Sequence, residues 1–332
     1  MSDQVQSIAN KINIMKPLIV LLVVSLIISG CTKDKPVSGN SQIGPFNPKP
    51  GTYIPYVFTF RQVNEHDVYL LEEIDLTQRS VRIISDTITK TPTVYIDANE
   101  YIASENLFFS ILIVDDESKL RGIDVNNGEV VSELGLNTDN PFLGLKFDYR
   151  RNLFYAIESG DFFRLVSIDP YTLEINVIYD TFNGFDYIPG DYKTVYCEDI
   201  NTYAFISSDL NNKRLWLIDV NTGNLIDSFP LTGNYKGLAY IPYSNKIFSF
   251  KVDGDTCSFG FFDLNSGEFT LLKDQFLFGS LNQIAFHPEK GEYAIIYNGD
   301  TARDHLLLYD IENDSLRDIM AVDDIIISIN YK

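Results

Sequence analysis

The chain has 332 residues and a formal net charge of −20, with 46 acidic against 26 basic side chains. Such an acidic protein repels nucleic-acid phosphates and anionic lipid headgroups, which excludes nucleic-acid binding as a function class. It has only three cysteines and no CxxC spacing, which argues against a disulfide scaffold and against a structural zinc site.

Residues 1–30 have the features of an export signal. Residues 17–28 are apolar except for Ser25, follow Lys16 and run into Ser29 and Gly30. A basic residue, a short apolar run and small residues are the three parts of a secretory signal. Twelve helical residues reach about 18 Å, well short of the ~30 Å bilayer core, so a permanent span is not expected. We therefore predict a signal peptide over residues 1–30, with translation starting at either Met1 or Met15.

The end of this signal, Ile28-Ser29-Gly30-Cys31, resembles the lipobox of bacterial lipoproteins. The resemblance implies that Cys31 becomes the lipidated N-terminus, with acyl chains such as palmitate, and anchors the protein in the cell envelope. We expect the outer membrane. An ordinary signal anchor and a chance cysteine are the alternatives. Residues 31–53 are rich in Pro, Gly, Ser and Asn and lack apolar periodicity, so we predict a flexible tether there.

From residue 54 onward one pattern recurs six times: an apolar strand that ends in Asp, a tight polar turn and another strand. The aspartates lie 44 to 50 residues apart, at Asp75, Asp124, Asp169, Asp219, Asp263 and Asp310. Gly in such turns tolerates a positive φ, and an Asp carboxylate accepts backbone N–H bonds from residues just ahead. We interpret the six aspartates as turn formers rather than catalysts.

Each repeat also contains two earlier strands, and four short strands in 44 to 50 residues are typical of a β-propeller. The last segment, 324–332, is a lone strand, whereas the first, 56–85, supplies three. We predict an all-β fold over residues 54–332: a six-bladed β-propeller of four-stranded antiparallel blades. The C-terminal strand and the three N-terminal strands together close the ring. Seven blades is the alternative.

Two segments, FHPEKGEYAI and IDVNTGNLIDSF, look like the repeats of WD-like, YVTN-like and quinoprotein-like propellers. The resemblance covers residues 54–332 and implies the architecture without selecting a subfamily, because the Trp-Asp and Gly-His signatures of true WD repeats are missing. Lipoproteins of this size and repeat type are typical of the Bacteroidota envelope.

A propeller gathers its loops on two faces. We call the face with the inter-blade links and the loops between the second and third strands the top face, and the face with the repeated Asp turns the bottom face. The top loops are acidic; they contain Glu65, His66, Asp67, Asp115, Asp116, Glu117, Glu158, Asp161, Asp209, Asp253, Asp255, Asp300 and Asp304. This indicates either a site for a cation or a basic partner, or simply solvated loops. Asp253 and Asp255 have the spacing of a calcium loop but complete no EF-hand pattern, so no cofactor is expected, with calcium as the alternative.

The longest link between predicted blades, residues 180–192, combines aromatic and acidic side chains. The candidate ligand-binding residues are Phe182, Phe185, Asp186, Tyr187, Asp191 and Tyr192. Exposed rings beside carboxylates suit a sugar or a partner surface. Packing of the rings over the gap between blades is the alternative.

Histidines and cysteines offer little chemistry. His66 and His305 are predicted on neighbouring top loops and are a candidate metal pair, with Asp253 and Asp255 as further candidates; lone surface histidines are the alternative. The sequence leaves open whether Cys197 and Cys257 pair. Acidic or amide residues at the ends of predicted innermost strands, Asp97, Asp148, Glu198 and Asn330, are expected at the bottom. No catalytic residues are predicted, since no G-x-S-x-G, H-E-x-x-H or phosphate loop is present.

Two functional hypotheses follow. The first is a non-catalytic propeller, tethered to the membrane, that binds a protein or glycan partner through its top loops. The second is a metal-dependent propeller hydrolase or lyase, similar to lactonases. Because the tether enters the closing blade at the bottom face, we expect that face to point toward the membrane and the top face to be free.

Overall fold

The structure is a computed structural model that describes residues 56–63, 68–88, 93–114, 117–160, 163–182, 193–208, 213–278, 280–298, 304–322 and 325–331. Apart from one 3₁₀ turn, Glu198–Ile200, the regular elements of these ranges are β-strands. None of the helical structure in these ranges is long and apolar enough to cross a membrane. The predicted signal peptide, the tether and Cys31 lie outside the described residues and stay predictions.

The strands form four-stranded antiparallel sheets. In chain order, three strands come first: β1 (Tyr56–Val63), β2 (Val68–Asp75) and β3 (Ser80–Ile88). Blade 1 contains β4 (Thr93–Ile102), β5 (Leu107–Val114), β6 (Glu117–Asp124) and β7 (Val130–Gly135). Blade 2 contains β8 (Phe142–Asp148), β9 (Leu153–Ser159), β10 (Phe163–Ile168) and β11 (Ile175–Phe182). Blade 3 contains β12 (Thr194–Cys197), β13 (Thr202–Ser208), β14 (Lys213–Asp219) and β15 (Asn224–Leu231). Blade 4 contains β16 (Asn234–Tyr240), β17 (Lys246–Asp253), β18 (Thr256–Asp263) and β19 (Phe269–Phe278). Blade 5 contains β20 (Ser280–His287), β21 (Glu292–Asn298), β22 (Asp304–Asp310) and β23 (Ser315–Val322), and β24 (Ile325–Tyr331) ends the described chain.

This arrangement confirms an all-β propeller with four-stranded antiparallel blades. Five blades consist of four consecutive strands each, so blades of this kind reach neither the predicted count of six nor the alternative of seven. The remaining strands form an antiparallel sheet in the order β24-β1-β2-β3, which we call the terminal sheet. In it Val57 of β1 lies opposite Tyr331 of β24, so the two ends of the described chain share one sheet.

The repeated aspartates form the bottom turns as predicted. At Asp75, Asp124, Asp169, Asp219, Asp263 and Asp310 the carboxylate accepts a backbone N–H from two or three residues ahead, at 2.8 to 3.4 Å. Four residues after the Asp the backbone has a positive φ, at Arg79, Gly128, Leu173, Gly223, Gly267 and Asp314. Glycine therefore occupies only half of the positions at which the turn needs a left-handed residue.

The outermost strand of every sheet has an irregularity that hinders pairing with a strand from another chain. A shift in register interrupts the pairing of the third strand with the outermost strand in every sheet, for example between Leu217 and Ile218 in blade 3. Such bulges twist an exposed edge away from regular pairing, which hinders addition of a strand from another chain.

The core lies between the faces of neighbouring blades and is rich in aromatic rings. Phe259 of blade 4 is fully buried, with the rings of Phe250, Tyr293 and Tyr309 at centroid distances of 5.2, 5.9 and 5.1 Å. Tyr293 and Tyr309 belong to blade 5, so this cluster joins two blades. Because each ring buries a large apolar area, these contacts are a main source of cohesion between blades.

Polar contacts at the bottom face join each sheet to the next. Each link connects a turn, or a residue beside it, to the neighbouring sheet. The six links are Arg82 to the Val125 carbonyl oxygen (3.1 Å), Tyr171 to Glu105 (2.6 Å), Arg151 to Asn201 (2.8 Å), the Tyr243 N–H to Asp199 (2.8 Å), Lys273 to Asp314 (2.7 Å) and Tyr331 to Glu292 (3.1 Å). Each of the described sheets is therefore linked by polar contacts to two other sheets.

Candidate functional site

Most residues of the predicted ligand-binding link lie outside the described part of the chain: Phe185, Asp186, Tyr187, Asp191 and Tyr192. Phe182 ends β11, where its backbone lies opposite Phe163. His66 is likewise outside the described residues, so the proposed pair with His305 stays a prediction.

The described members of the predicted metal set are separated. His305 Nδ1 lies 3.0 Å from Asp318 Oδ2, on the neighbouring outermost strand of blade 5. Asp253 and Asp255 flank Gly254 in the exposed turn between β17 and β18. Among the described residues, no three His, Cys, Asp or Glu side chains come together in a way that could hold a metal ion.

Cys197 and Cys257 are both buried and free, which answers the pairing question that the sequence leaves open. Burial raises the pKa of both thiols, to about 11 for Cys257. Since the thiolate is the reactive form, neither cysteine is activated as a nucleophile.

Asp148 is the centre of a polar cluster at the bottom ends of blades 2 and 3. Its side chain is fully buried, and Arg151 contacts it at 2.5 Å, while the hydroxyls of Tyr196 and Tyr155 donate to it at 2.8 and 3.2 Å. Burial alone would raise the pKa of Asp148, but the bonds from Arg151, Tyr196 and two backbone N–H groups outweigh it and hold the pKa below its usual range. With its oxygens occupied in this way, Asp148 is placed as an anchor between blades.

The prediction that Glu158 lies on an exposed acidic top loop is wrong. Glu158 is near the end of β9, and its side chain is only 1% exposed. Arg164 Nε donates to it at 2.6 Å and Asn140 Nδ2 at 2.8 Å. Burial would raise the pKa of Glu158, but these hydrogen bonds outweigh it and lower the pKa. This carboxylate therefore adds no accessible negative charge to the top face.

A cleft of about 380 Å³ lies between blades 3 and 4. Its wall contains three mutually packed rings, with Tyr235 at 4.8 Å from Phe262 and 4.9 Å from Phe269, and Phe262 at 5.0 Å from Phe269. Phe229 of blade 3 faces them, and Lys251 and Glu268 are its charged lining residues. Tyr235 and Phe262 are 3% and 0% exposed, so these rings belong to the core between the two blades, and residues 266–268 of the bottom turn of blade 4 also line the cleft.

Lysines collect at the same blade interface. Val195 and Cys197 of β12 belong to the same core cluster as Tyr235 of blade 4. Because side chains alternate along a strand, Lys193 is on the face of blade 3 that looks toward blade 4. The Lys193 carbonyl oxygen accepts the Ile206 N–H at 2.9 Å, which continues the strand pairing through this residue.

Two further lysines are on the facing surfaces. Lys213 is on the same side of β14 as Leu215 and Leu217, which belong to the core between blades 3 and 4. Lys251 of β17 lies opposite Tyr235 in register. Among the described residues, no carboxylate pairs with Lys193, Lys213 or Lys251.

Lys193 is the least exposed of the three, at 7%. Burial, together with the positive charges of Lys236 and Lys213, lowers its pKa to about 8. Lys236 on β16 is half-buried and donates from Nζ to the Leu281 carbonyl oxygen at 2.8 Å, and burial lowers its pKa as well. In a chain with a net charge of −20, this interface is locally cationic.

Sequence reasoning missed these lysines because it followed acidic and aromatic patterns on the top loops. A usable signal was present, since Lys193 precedes the predicted innermost strand TVYC and shares its alternation with Val195 and Cys197. Which blade face this alternation meets is decided by the tertiary structure.

Comparisons with known proteins identify the architecture. Neither a protein-family model nor a curated protein matches the chain. Among solved structures, the chain is similar to a chain from a nidogen/laminin complex, with 11% identity, a TM-score of 0.57, and coverage of 83% of this chain and 98% of that one. It is also similar to a protein described as TolB from Agrobacterium tumefaciens (11% identity, TM-score 0.55, 85% and 99% covered) and to hydrazine synthase from Kuenenia stuttgartiensis (15%, 0.53, 73% and 71%). At these identities the likeness concerns the fold alone, and the described chain is a β-propeller.

Proposed function

We propose that the chain is a lipid-tethered envelope protein whose propeller binds a protein partner through its top face, without catalysis. The observation that carries this proposal is the construction of the bottom face. There the six Asp turns share one backbone geometry, and polar links join every sheet to the next. A scaffold fastened at one end leaves the loops of the other end free to vary and to bind.

One observation favours a protein as the partner. A propeller of similar fold was solved as part of a nidogen/laminin complex. A glycan is the other outcome that the experiment below distinguishes.

A matched pair of photo-crosslinking positions tests which face binds. Asp255 is exposed in the top turn of blade 4, and Asn265 is exposed in the bottom turn of the same blade. With a photoreactive amino acid at either position in intact cells, we expect one defined protein adduct from position 255 and none from position 265. Adducts only from position 265 would contradict the assignment of faces, and periodate-sensitive, protease-resistant adducts would indicate a glycan.

We further propose that the terminal sheet is the sixth blade and closes the ring. Its strand β24 contacts β20 of blade 5 on one side and β4 of blade 1 on the other. The β1 strand begins beside Asp75, in a bottom turn. A tether that leads into β1 therefore arrives at the bottom face, which supports the expectation that this face points toward the membrane.

The tether itself has a separate test. We expect the Cys31→Ser variant to lose labelling by a palmitate analogue and to move from the membrane fraction to the soluble fraction of cells. Retention of the label would show that Cys31 is not the lipidated residue. Retention in the membrane without label would favour an uncleaved signal anchor.

A further inference from the structure

We propose that the top end of the interface between blades 3 and 4 is an oxyanion-binding site, in which Lys193 and Lys213 of blade 3 and Lys251 of blade 4 hold a carboxylate or phosphate group. The proposal does not depend on the partner protein proposed above, because it concerns small anions and is tested on the purified chain alone.

The first step is the direction of the Lys193 side chain. Gly144 of blade 2 leaves room for Thr194 of blade 3, because a Cβ at position 144 would lie 2.5 Å from the methyl carbon of Thr194. Thr194 thus packs toward blade 2, and the adjacent Lys193 is on the opposite face of the strand, toward blade 4. Lys193 is nevertheless 93% buried, since its exposure is 7%.

The second step is the position of the other two lysines. Lys213 lies directly opposite Leu231, the last residue of β15. Two residues later, a Cβ on Gly233 would lie 2.9 Å from Cε of Lys251. Lys213 and Lys251 therefore border the same short link between blades 3 and 4, one from each blade.

The interface lysines differ from several other basic side chains in their counter-charges. Several other basic side chains of the described chain have acidic partners: Arg151 pairs with Asp148, Arg164 with Glu158 and Lys273 with Asp314. The three interface lysines have none among the described residues. A buried ammonium without a partner is costly, and an anion that binds there removes that cost. The lowered pKa of Lys193 is the expected signature of such an uncompensated charge.

The experiment measures thermal unfolding of the full chain, purified in detergent at pH 7. Sodium phosphate and sodium acetate are compared with sodium chloride at equal ionic strength, for the unaltered protein and for Lys193→Met. The control is Lys119→Met, because Lys119 lies on blade 1 and only meets Glu117 and Glu133 at 4.0 Å. Lys213→Met is a second variant at a more exposed position.

We expect phosphate or acetate to raise the Tm of the unaltered protein and of Lys119→Met by at least about 2 °C over chloride, the shift for an anion at roughly tenfold its Kd. Lys193→Met should lose most of that shift, and Lys213→Met part of it. A response to phosphate alone assigns a phosphate-bearing ligand, whereas a response to acetate as well assigns a carboxylate-bearing one.

The difference in Tm between Lys193→Met and the unaltered protein in chloride provides the second readout. If no chain carboxylate neutralises Lys193, the Lys193→Met variant melts above the unaltered protein in chloride. The absence of any anion effect beyond chloride would overturn the site. If Lys193→Met also melts lower than the unaltered protein, an acidic residue of this chain already pairs with Lys193. Neither result bears on the crosslinking at positions 255 and 265, so the two proposals fail separately.

Discussion

Replacement of Arg151 by methionine tests the role of the polar cluster between blades 2 and 3. The change keeps an apolar stem but removes the guanidinium that contacts the fully buried Asp148 at 2.5 Å and Asn201 at 2.8 Å. Loss of one partner of a buried ion pair costs about 3–5 kcal/mol. Asp148 keeps its bonds from Tyr196 and Tyr155, so we expect the lower end, about 3 kcal/mol.

The neighbouring Arg150 provides the matched control. Its side chain is 51% exposed and pairs at 3.1 Å with Glu198, which is 39% exposed. An exposed pair of this kind contributes less than about 1 kcal/mol. Urea denaturation of the Arg151→Met and Arg150→Met variants should therefore give clearly different free energies of unfolding, although the two residues are adjacent.

The dependence on pH separates electrostatics from packing. In the unaltered protein the pKa of Asp148 lies below its usual range, so its stabilisation is present above the unfolded pKa of ~3.9 and is lost as the pH falls through the folded pKa. Without Arg151, burial should raise the folded pKa and penalise the charged form. The difference between the two proteins should thus grow as the pH rises from about 4 to about 7. Equal costs for both variants, or a difference that does not change with pH, would refute this reasoning.

Three other expectations follow from the structure. In thermal melting, Gly128→Ala should destabilise the protein more than Gly254→Ala. Both residues have a positive φ, but a Cβ at position 128 would overlap a backbone oxygen of the terminal sheet, whereas nothing lies within 4 Å of a Cβ at position 254. Equal losses of Tm would contradict this expectation. Cys197 and Cys257 should react with a thiol reagent at pH 8 only after unfolding, because burial raises their pKa, to about 11 for Cys257; fast labelling of the native protein would argue otherwise. In chloride, Lys193→Met should gain up to about 3 kcal/mol of stability at pH 7, because the pKa of Lys193 is about 8 in the folded protein and ~10.4 in the unfolded chain. Denaturation at rising pH should show this gain vanish between those two pKa values.

Local chemistry was readable from the sequence, because it acts within a few residues. The Asp residue at each bottom turn accepts N–H groups two or three residues ahead, and alternation of apolar residues defines the strands around it. At Asp169 and Asp310 the turn forms with Leu173 and Asp314 at the left-handed position, so the Asp bonds are sufficient there without glycine. Repetition of this unit predicted the all-β class and the four-stranded blades.

The contacts that distinguish one part of the ring from another join residues about one repeat apart, and only the tertiary structure decided them. Tyr196 reaches Asp148 across 48 residues, and Arg151 reaches Asn201 across 50. Glu158 looked like a loop acid but is buried by Arg164, whereas Lys193 looked unremarkable but lies buried opposite blade 4. The sequence by itself determines which face of a strand a side chain occupies; packing of one blade on the next determines whether that face meets water, a counter-charge or an uncompensated charge.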